Sequence, residues 1–146
     1  MGKNLGKGTG VFVYLLVIFL WSGAVKAQDA ENKAHVARAQ FTTEINEREP
    51  VDYVVLLSSE AEKVYFFTDL RNLNGQRVKH RWEYNGQVEA EVEFNVASDR
   101  WRTFSSKTMD VNKLGEWTVV VVDEQGWPLK AVVFEYVSGP TKLYEQ

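Results

Sequence analysis

His80, Ser105 and Lys107 are the residues with which this chain could do hydrolytic chemistry. An imidazole acts as a general base near neutral pH, and a Ser–Lys pair can supply a nucleophile and its base. Ser105 and Lys107 stand two residues apart in a predicted strand, so their side chains share one face. The sequence has no strained nucleophile turn and no motif for an oxyanion hole. Catalysis by His80 with Ser105, or with nearby carboxylates, is therefore the alternative hypothesis.

His80 lies on the apolar side of its own predicted strand, because it alternates with the charged residues Lys79 and Arg81. This position favours a buried, hydrogen-bonded imidazole that orders the interior. A ligand-contacting imidazole at the mouth of the domain is the other interpretation. The second histidine, His35, falls in a predicted tether, and the chain has no cysteine. No metal site and no cofactor is therefore predicted.

Glu89, Glu91 and Glu93 are three carboxylates with a spacing of two residues. Paired carboxylates serve acid–base catalysis in some enzymes and bind cations in other proteins. The spacing here puts all three on one solvent-facing side of a strand, opposite Lys79 and Arg81. They are predicted to form a charged strand that resists edge-to-edge association.

Tryptophan side chains could line a glycan site, because aromatic rings stack on sugar rings. Trp82 and Trp117 are predicted to fill the core instead. Trp127 stands in a loop before Pro128 and is predicted to be exposed. It is the main candidate for contact with a sugar.

The segment 76–96 predicts the hairpin that carries His80 and the three glutamates, with its turn at Asn85-Gly86. A two-residue turn would place carboxylates beside the apolar side of the first arm. A three-residue loop with Gly86 in the left-handed conformation, the G1-bulge form, pairs Trp82 with Val88 and keeps the apolar sides together. The bulged loop is predicted.

Short β-branched and aromatic runs between turn residues predict the rest of the domain as strands. The further predicted strands are 41–45, 51–57, 64–69, 100–108, 116–123 and 129–137. Seven or eight such strands predict an all-β, immunoglobulin-like antiparallel β-sandwich. Trp82 then takes the place of the strand-C tryptophan of immunoglobulin-like domains, without the cysteine pair against which that residue normally packs.

The second hairpin, around 124–126, is predicted to be apolar on both faces. A two-layer sandwich needs only one dry face in each sheet. The second face is therefore either covered by the segment 51–57 or exposed as a patch for a partner or a second copy. Both interpretations stay open. The residues predicted on this face are Val120, Val122, Val132, Phe134 and Tyr136.

The first 27 residues predict a signal peptide. Two lysines precede an apolar run at 11–21, and Val25 and Ala27 occupy the positions that signal peptidase reads. Cleavage after Ala27 predicts a periplasmic or otherwise exported protein without stable membrane insertion. An uncleaved N-terminal anchor is the alternative.

A polar tether at 28–40, a sandwich at 41–137 and a polar tail at 138–146 are predicted to follow. The whole chain of 146 residues has 17 basic and 20 acidic residues, and the predicted leader removes only basic ones. An acidic domain without a basic tract argues against nucleic acid and anionic lipid as partners. Without disulfides, the domain must be held by its core.

Five short motifs occur in order between Val36 and Tyr136. They lie at 48–52, 64–67, 80–86, 101–107 and 115–119. Together they resemble the bacterial family DUF2914, a domain of unknown function. The resemblance implies an all-β domain of exported or membrane-attached bacterial proteins with no assigned activity, so no functional residue is carried over from it. It marks the His-Arg-Trp and Ser-Ser-Lys stretches as places to test.

The main functional hypothesis is a non-enzymatic, exported module of the bacterial envelope that binds a protein partner or a glycan. An envelope-acting hydrolase and a purely structural spacer are the alternatives. No catalytic residue is assigned. The candidate binding residues are His80, Trp82, Arg102, Ser105, Lys107 and Trp127.

Overall fold

The computed structural model describes residues 33–139, and all the regular structure in that range is β-strand. The strands are β1 (His35–Thr42), β2 (Ile45–Asn46), β3 (Glu49–Pro50), β4 (Leu56–Ser58), β5 (Lys63–Arg71), β6 (Arg77–Tyr84), β7 (Gln87–Asn95), β8 (Arg100–Thr108), β9 (Gly115–Val122) and β10 (Pro128–Val137). Seven of them are long and three have only two or three residues, so the predicted number of strands is confirmed. The predicted leader, and most of the predicted tail, lie outside the described residues.

Two sheets pack face to face and form the predicted sandwich. The three-stranded sheet has the order β1-β5-β8, and the five-stranded sheet has the order β4-β10-β9-β6-β7. The long strands pair antiparallel, as predicted. The short strand β4 is the exception, because it runs parallel to β10. Strands β2 and β3 form a separate small hairpin.

The core is built from aromatic side chains that meet between the two sheets. The Phe41 ring of β1 lies 4.9 Å from the Phe66 ring, 5.7 Å from the Trp82 ring and 4.5 Å from the Phe134 ring, measured between centroids. All four side chains are fully buried. Rings of this size supply most of the apolar area that a domain without disulfides must bury.

Strand β1 begins at His35, so the prediction of a tether up to residue 40 is wrong at its end. The inward positions of this strand are Val36, Ala39 and Phe41, and its polar side chains point outwards. A bulge between Val36 and Arg38 interrupts the alternation. One extra residue breaks the period-two alternation, so the pattern in the sequence no longer predicts a strand here.

The segment 51–57 does not cover the second face of the last hairpin. Only β4 is a strand here, and it extends the edge of the five-stranded sheet beside β10. Val54 is buried and bridges to Phe41, whereas Tyr53 and Val55 are exposed. The segment closes one side of the sandwich.

The turn of the first hairpin has two residues, so the predicted three-residue loop is wrong. Tyr84 pairs with Gln87, and Asn85 and Gly86 between them both have positive φ, 46° and 77°. That is the conformation of a type I′ turn, for which Asn-Gly is the favoured sequence.

A bulge in the second arm shifts the pairing by two residues from the predicted register, so that most apolar side chains still face inwards. Trp82 pairs with Ala90 instead of Val88, and Glu83 pairs with Val88, which leaves Glu89 as the extra residue. Ala90, Val92 and Phe94 thereby lie on the inner face of the hairpin, as predicted, whereas Val88 pairs with Glu83 and is 57% exposed, against the prediction. The bulge moved from the turn into the strand because the Asn-Gly pair satisfies the tight turn by itself.

The predicted apolar patch on the last hairpin is wrong, because a bulge between Pro128 and Lys130 shifts the pairing by one residue. Val119 pairs with Val132 and Trp117 with Phe134. Val132, Phe134 and Tyr136 therefore face the core and share a side with Trp117.

Val120 and Val122 do face outwards from the five-stranded sheet, yet they are 8% and 2% exposed. Their cross-strand neighbours on β6 are Arg81 and Lys79. Long cationic side chains cover apolar neighbours with their methylene stems while their charges stay in water. The five residues of the predicted patch thus form no exposed surface.

Gly86→Ala is expected to lower the free energy of unfolding by about 1 kcal/mol, because a side chain is strained at positive φ. A Cβ at this position would meet no heavy atom within 4 Å, so the cost comes from the backbone alone. Urea unfolding measures the change. The companion Asn85→Gly should shift stability by less than about 0.5 kcal/mol, since glycine tolerates the same conformation. Equal losses in both variants would contradict the type I′ turn.

Candidate functional site

His80 points from β6 into the interior and is 0% exposed. Its Nδ1 lies 2.8 Å from the Ser105 hydroxyl of β8, and its Nε2 lies 3.1 Å from the Thr68 hydroxyl of β5. The indole N–H of Trp82 donates to the same Ser105 oxygen at 3.0 Å. These side chains link the two sheets through polar bonds inside an apolar core. The prediction of a buried, hydrogen-bonded His80 is confirmed.

Two aromatic rings pack against the imidazole. The Phe66 and Phe94 rings lie 4.9 Å and 4.7 Å from it, between centroids. Burial lowers the pKa of His80 to about 3, because the charged imidazolium would lose its hydration here. A neutral imidazole offers one donor and one acceptor, and two hydroxyls can satisfy both.

Ser105 and His80 stand at the distance of a nucleophile and its base, but in the wrong surroundings for catalysis. Ser105 is 5% exposed, and its oxygen already contacts both His80 and Trp82. A catalytic base works with a pKa near the operating pH and with its substrate beside it. The geometry suits a structural link between the sheets.

Lys107 shares a face with Ser105, as predicted, but contacts a different group. Its ammonium lies 5.3 Å from the centroid of the Trp117 ring, where it makes a cation–π contact. Among the described residues, no hydrogen bond joins Lys107 to Ser105, so the Ser–Lys alternative gains no support.

The tryptophan candidates do not come together. Trp82 and Trp117 are each 1% exposed, as predicted for core residues, and Trp127 is 72% exposed in its loop. The binding role proposed for Trp82 is excluded by its burial. Trp127 stays a candidate as a single exposed ring.

A second polar network lies on the outer face of the three-stranded sheet and contains Arg102. The Glu49 carboxylate of β3 accepts a hydrogen bond from Arg38 of β1 at 2.8 Å, and its other oxygen pairs with Arg102 of β8. The hydrogen bonds from Arg102 and then Arg38 hold the pKa of Glu49 below its ordinary value. Glu49 thus clamps the two outer strands of the sheet.

Asp69 is the second carboxylate of this network and stands in the middle strand, β5, between Arg38 and Arg102. It is 1% exposed. Arg71 donates to its two oxygens at 2.8 Å and 3.1 Å, and Arg100 donates at 3.2 Å. The buried carboxylate therefore holds two further guanidinium groups at the surface.

We call this surface the arginine face. It comprises Arg38, Arg48, Arg71, Arg100 and Arg102, five of the seven arginines of the chain, around Glu49 and Asp69. Arg48 lies above it in the β2–β3 turn and donates to the Arg102 carbonyl at 3.3 Å. Phe104 is exposed beside it on β8.

Of the five arginines on this surface, only Arg102 was predicted from the sequence to bind a ligand. The arginines come from separate segments of the chain, so their convergence depends on the order of the strands. The one local signal was a spacing of two residues, at Asp69 with Arg71 and at Arg100 with Arg102.

The family model described as a protein of unknown function, DUF2914, matches residues 75–136. The similarity to DUF2914 thus covers 62 of the 146 residues, less than half of the chain. The resemblance drawn from the motifs is thereby confirmed, although the match is shorter than the span 36–136. It includes β6 to β10, with His80 and Ser105. Thr68, Glu49 and Asp69 precede the DUF2914 match, and no curated protein matches the chain.

Within residues 33–139, no group of three or more histidine, aspartate or glutamate side chains has the arrangement to hold a metal ion. The same range contains no helix of the length and hydropathy needed to cross a membrane.

Ser105→Ala is expected to lower the free energy of unfolding by about 2–4 kcal/mol, because it leaves buried nitrogens of His80 and Trp82 without their partner. Chemical denaturation measures the loss. Ser106→Ala is the matched control, since Ser106 is the exposed neighbour on the same strand and should change stability by less than about 0.5 kcal/mol. Similar small effects at both positions would contradict the network.

The free energy of unfolding is expected to fall by about 1.4 kcal/mol per pH unit as pH drops below about 6.5. The folded pKa of His80, about 3, lies below the ordinary 6.5, so the unfolded chain binds a proton that the folded chain does not. The stabilisation is complete above pH 6.5 and is lost towards pH 3. Between pH 6.5 and 5 the carboxylates stay ionised, so denaturation there isolates the histidine contribution. His35→Gln should keep this slope, and a flat profile would contradict a buried neutral His80.

Proposed function

We propose that this protein is a non-enzymatic, exported interaction module of the bacterial envelope that binds an acidic segment of a protein partner. The arginine face is the proposed binding surface. The supporting observation is the concentration of five guanidinium groups on one face of a chain whose net charge is −3. Export rests on the leader at 1–27, with cleavage after Ala27.

The arginine face carries more positive than negative charges. Glu49 and Asp69 make ion pairs with four arginines between them. Arg48 makes no ion pair with any residue from 33 to 139. Exposed Glu47, beside Arg48 in the turn, reduces the surplus without removing it. An approaching carboxylate therefore meets a positive field on a protein that is otherwise acidic.

The guanidinium groups are also held in place before a ligand arrives. Each carboxylate fixes two arginines, and the Arg38 guanidinium lies 4.9 Å from the centroid of the buried Phe67 ring. A planar guanidinium bonds a carboxylate through two parallel N–H groups. Side chains that are already ordered lose less entropy on binding.

An exposed aromatic ring adjoins the cations. Phe104 is 42% exposed, and Tyr65 lies beside it with ring centroids 6.1 Å apart. Arginine and aromatic residues are enriched where proteins contact each other. This combination favours a protein partner over a glycan, for which Trp127 offers a single ring.

The hydrolase hypothesis has less support. Its acid–base group, His80, and its nucleophile, Ser105, are both enclosed by the core and bonded to other residues. The spacer hypothesis gives no reason for surplus guanidinium groups on one face.

A fluorescently labelled hexaglutamate peptide is the probe for this proposal. Its dissociation constant, measured by fluorescence anisotropy at low ionic strength, should rise about tenfold in the variant Arg48→Ser with Arg100→Ser, because two exposed cations are lost. Added salt should weaken binding to the unmodified chain, since screening acts on exposed charges.

The matched control is Arg77→Ser with Arg81→Ser on the other sheet. The side chains of Arg77 and Arg100 are 58% and 57% exposed, so the two substitutions remove cations of similar solvent exposure. The control should bind the peptide as the unmodified chain does. Absence of binding to the monomeric chain, or an equal loss in both variants, would contradict the proposal.

A further inference from the structure

Strands β7 and β8 form an open side of the sandwich. Each is an edge strand, β7 of the five-stranded sheet and β8 of the three-stranded sheet, and each pairs with one neighbour within the described residues. The short connection 96–99 joins them, so the two edges lie on the same side. On the opposite side, β4 and Val54 close the sandwich.

Apart from the buried Ser105, inward side chains along these two strands are only half-buried, although those of β5 and β9 are buried. On β7 they are Ala90, Val92 and Phe94, and on β8 they are Trp101 and Thr103. Apolar side chains at an uncovered edge of a core gain free energy when another strand covers them.

The two edges carry opposite charge. β7 presents Glu89, Glu91 and Glu93 and has no basic residue. β8 presents Arg100, Arg102 and Lys107 and has no acidic residue. Acidic residues on an edge repel a second acidic strand and attract a basic one.

We infer that the acidic segment recognised by the arginine face is β7 of a second copy of this chain. This inference rests on the proposed function and names its partner. A two-fold axis parallel to the strands sets β8 of each copy beside β7 of the other, so that both sheets continue from one copy into the next. The contact is isologous and closes at two copies.

Chain direction and side-chain facing both agree with this axis. β7 and β8 run in opposite directions because a short turn connects them, and rotation about an axis parallel to the strands preserves direction. The new pairs are therefore antiparallel. The same rotation places the outer face of one copy's five-stranded sheet on the same side of the dimer as the arginine face of the other copy. Glutamates then meet arginines, and inward apolar residues meet one another.

One register satisfies both sets of contacts. A two-fold axis allows no sliding along the strands, so residues that lie level within one copy become opposite each other; this sets Arg102 opposite Glu93 of the second copy and Arg100 opposite Asn95 of the second copy. Trp101 and Phe94 of the second copy, which lie between those pairs, then share the inner face. The bulge at Glu89 ends regular pairing beyond this region.

The other two-fold arrangement fails on charge. An axis perpendicular to the sheets would pair β7 with β7 and β8 with β8. Glutamates would face glutamates and arginines would face arginines, and like charges across an interface cost several kcal/mol. The charge pattern thus selects one dimer against the other.

Sedimentation velocity of the chain, purified in the form that the cell accumulates, tests the inference. The unmodified chain should form dimers. Glu91→Lys with Glu93→Lys should raise the dissociation constant about tenfold or more. The control Glu124→Lys with Glu135→Lys makes the same change of charge away from β7 and should stay dimeric. A monomeric unmodified chain, or a dimer that the β7 variant leaves intact, would overturn the inference.

Cysteine cross-linking tests the pairing without relying on a charge reversal, because the chain has no cysteine of its own. The variants Glu93→Cys and Arg102→Cys should each fail to form a disulfide-linked dimer alone and should form one when mixed. Linked dimers from either variant alone, or none from the mixture, would overturn the heterotypic contact.

Hexaglutamate binding separates this inference from the proposed function. Glu91→Lys with Glu93→Lys, made monomeric, should bind the peptide more tightly than Glu124→Lys with Glu135→Lys, which has the same net charge, because its arginine face is uncovered. A monomeric unmodified chain that binds hexaglutamate would overturn self-recognition and leave the proposed function standing. A chain that neither dimerises nor binds the peptide would overturn both.

Discussion

The imidazole of His80 is the polar contact on which the two layers of this domain depend. It bonds one hydroxyl from β5 and one from β8, while its own strand belongs to the opposite sheet. A polar group at such depth is costly unless each of its nitrogens has a partner. The rings of Phe66 and Phe94 therefore pack against an imidazole whose position is fixed by its directional hydrogen bonds as well as by the shape of the core.

The filled core also determines where the charged side chains lie. With its interior filled by aromatic rings and one satisfied polar network, the domain carries its charged networks outside. Glu49 and Asp69 organise the outer face of the three-stranded sheet, and Lys79 lies 3.5 Å from Glu91 on the five-stranded sheet. Exposed ion pairs add little stability by themselves. The charged side chains are nevertheless unevenly distributed along the chain, since those of β7 are all acidic and those of β8 are all basic.

Much of the fold was predictable from the sequence, because alternation of apolar and polar residues survives wherever a strand pairs regularly. Burial of His80 followed from its place between Lys79 and Arg81. The predictions failed at bulges. One extra residue at Glu89 changed the partner of Trp82, and one near Leu129 turned Phe134 towards the core. A sequence pattern shows which residues alternate, but not where a strand gains a residue.

The inner link between the sheets is non-covalent, whereas antibody domains link their two sheets by a disulfide. Trp82 donates to Ser105, and Ser105 contacts His80, so the tryptophan packs against a hydroxyl and an imidazole in place of a pair of sulfurs. Such a link needs no oxidant to form and no reductant can open it. The domain can therefore reach its native state on either side of a change in redox potential, without waiting for thiol chemistry to close its core.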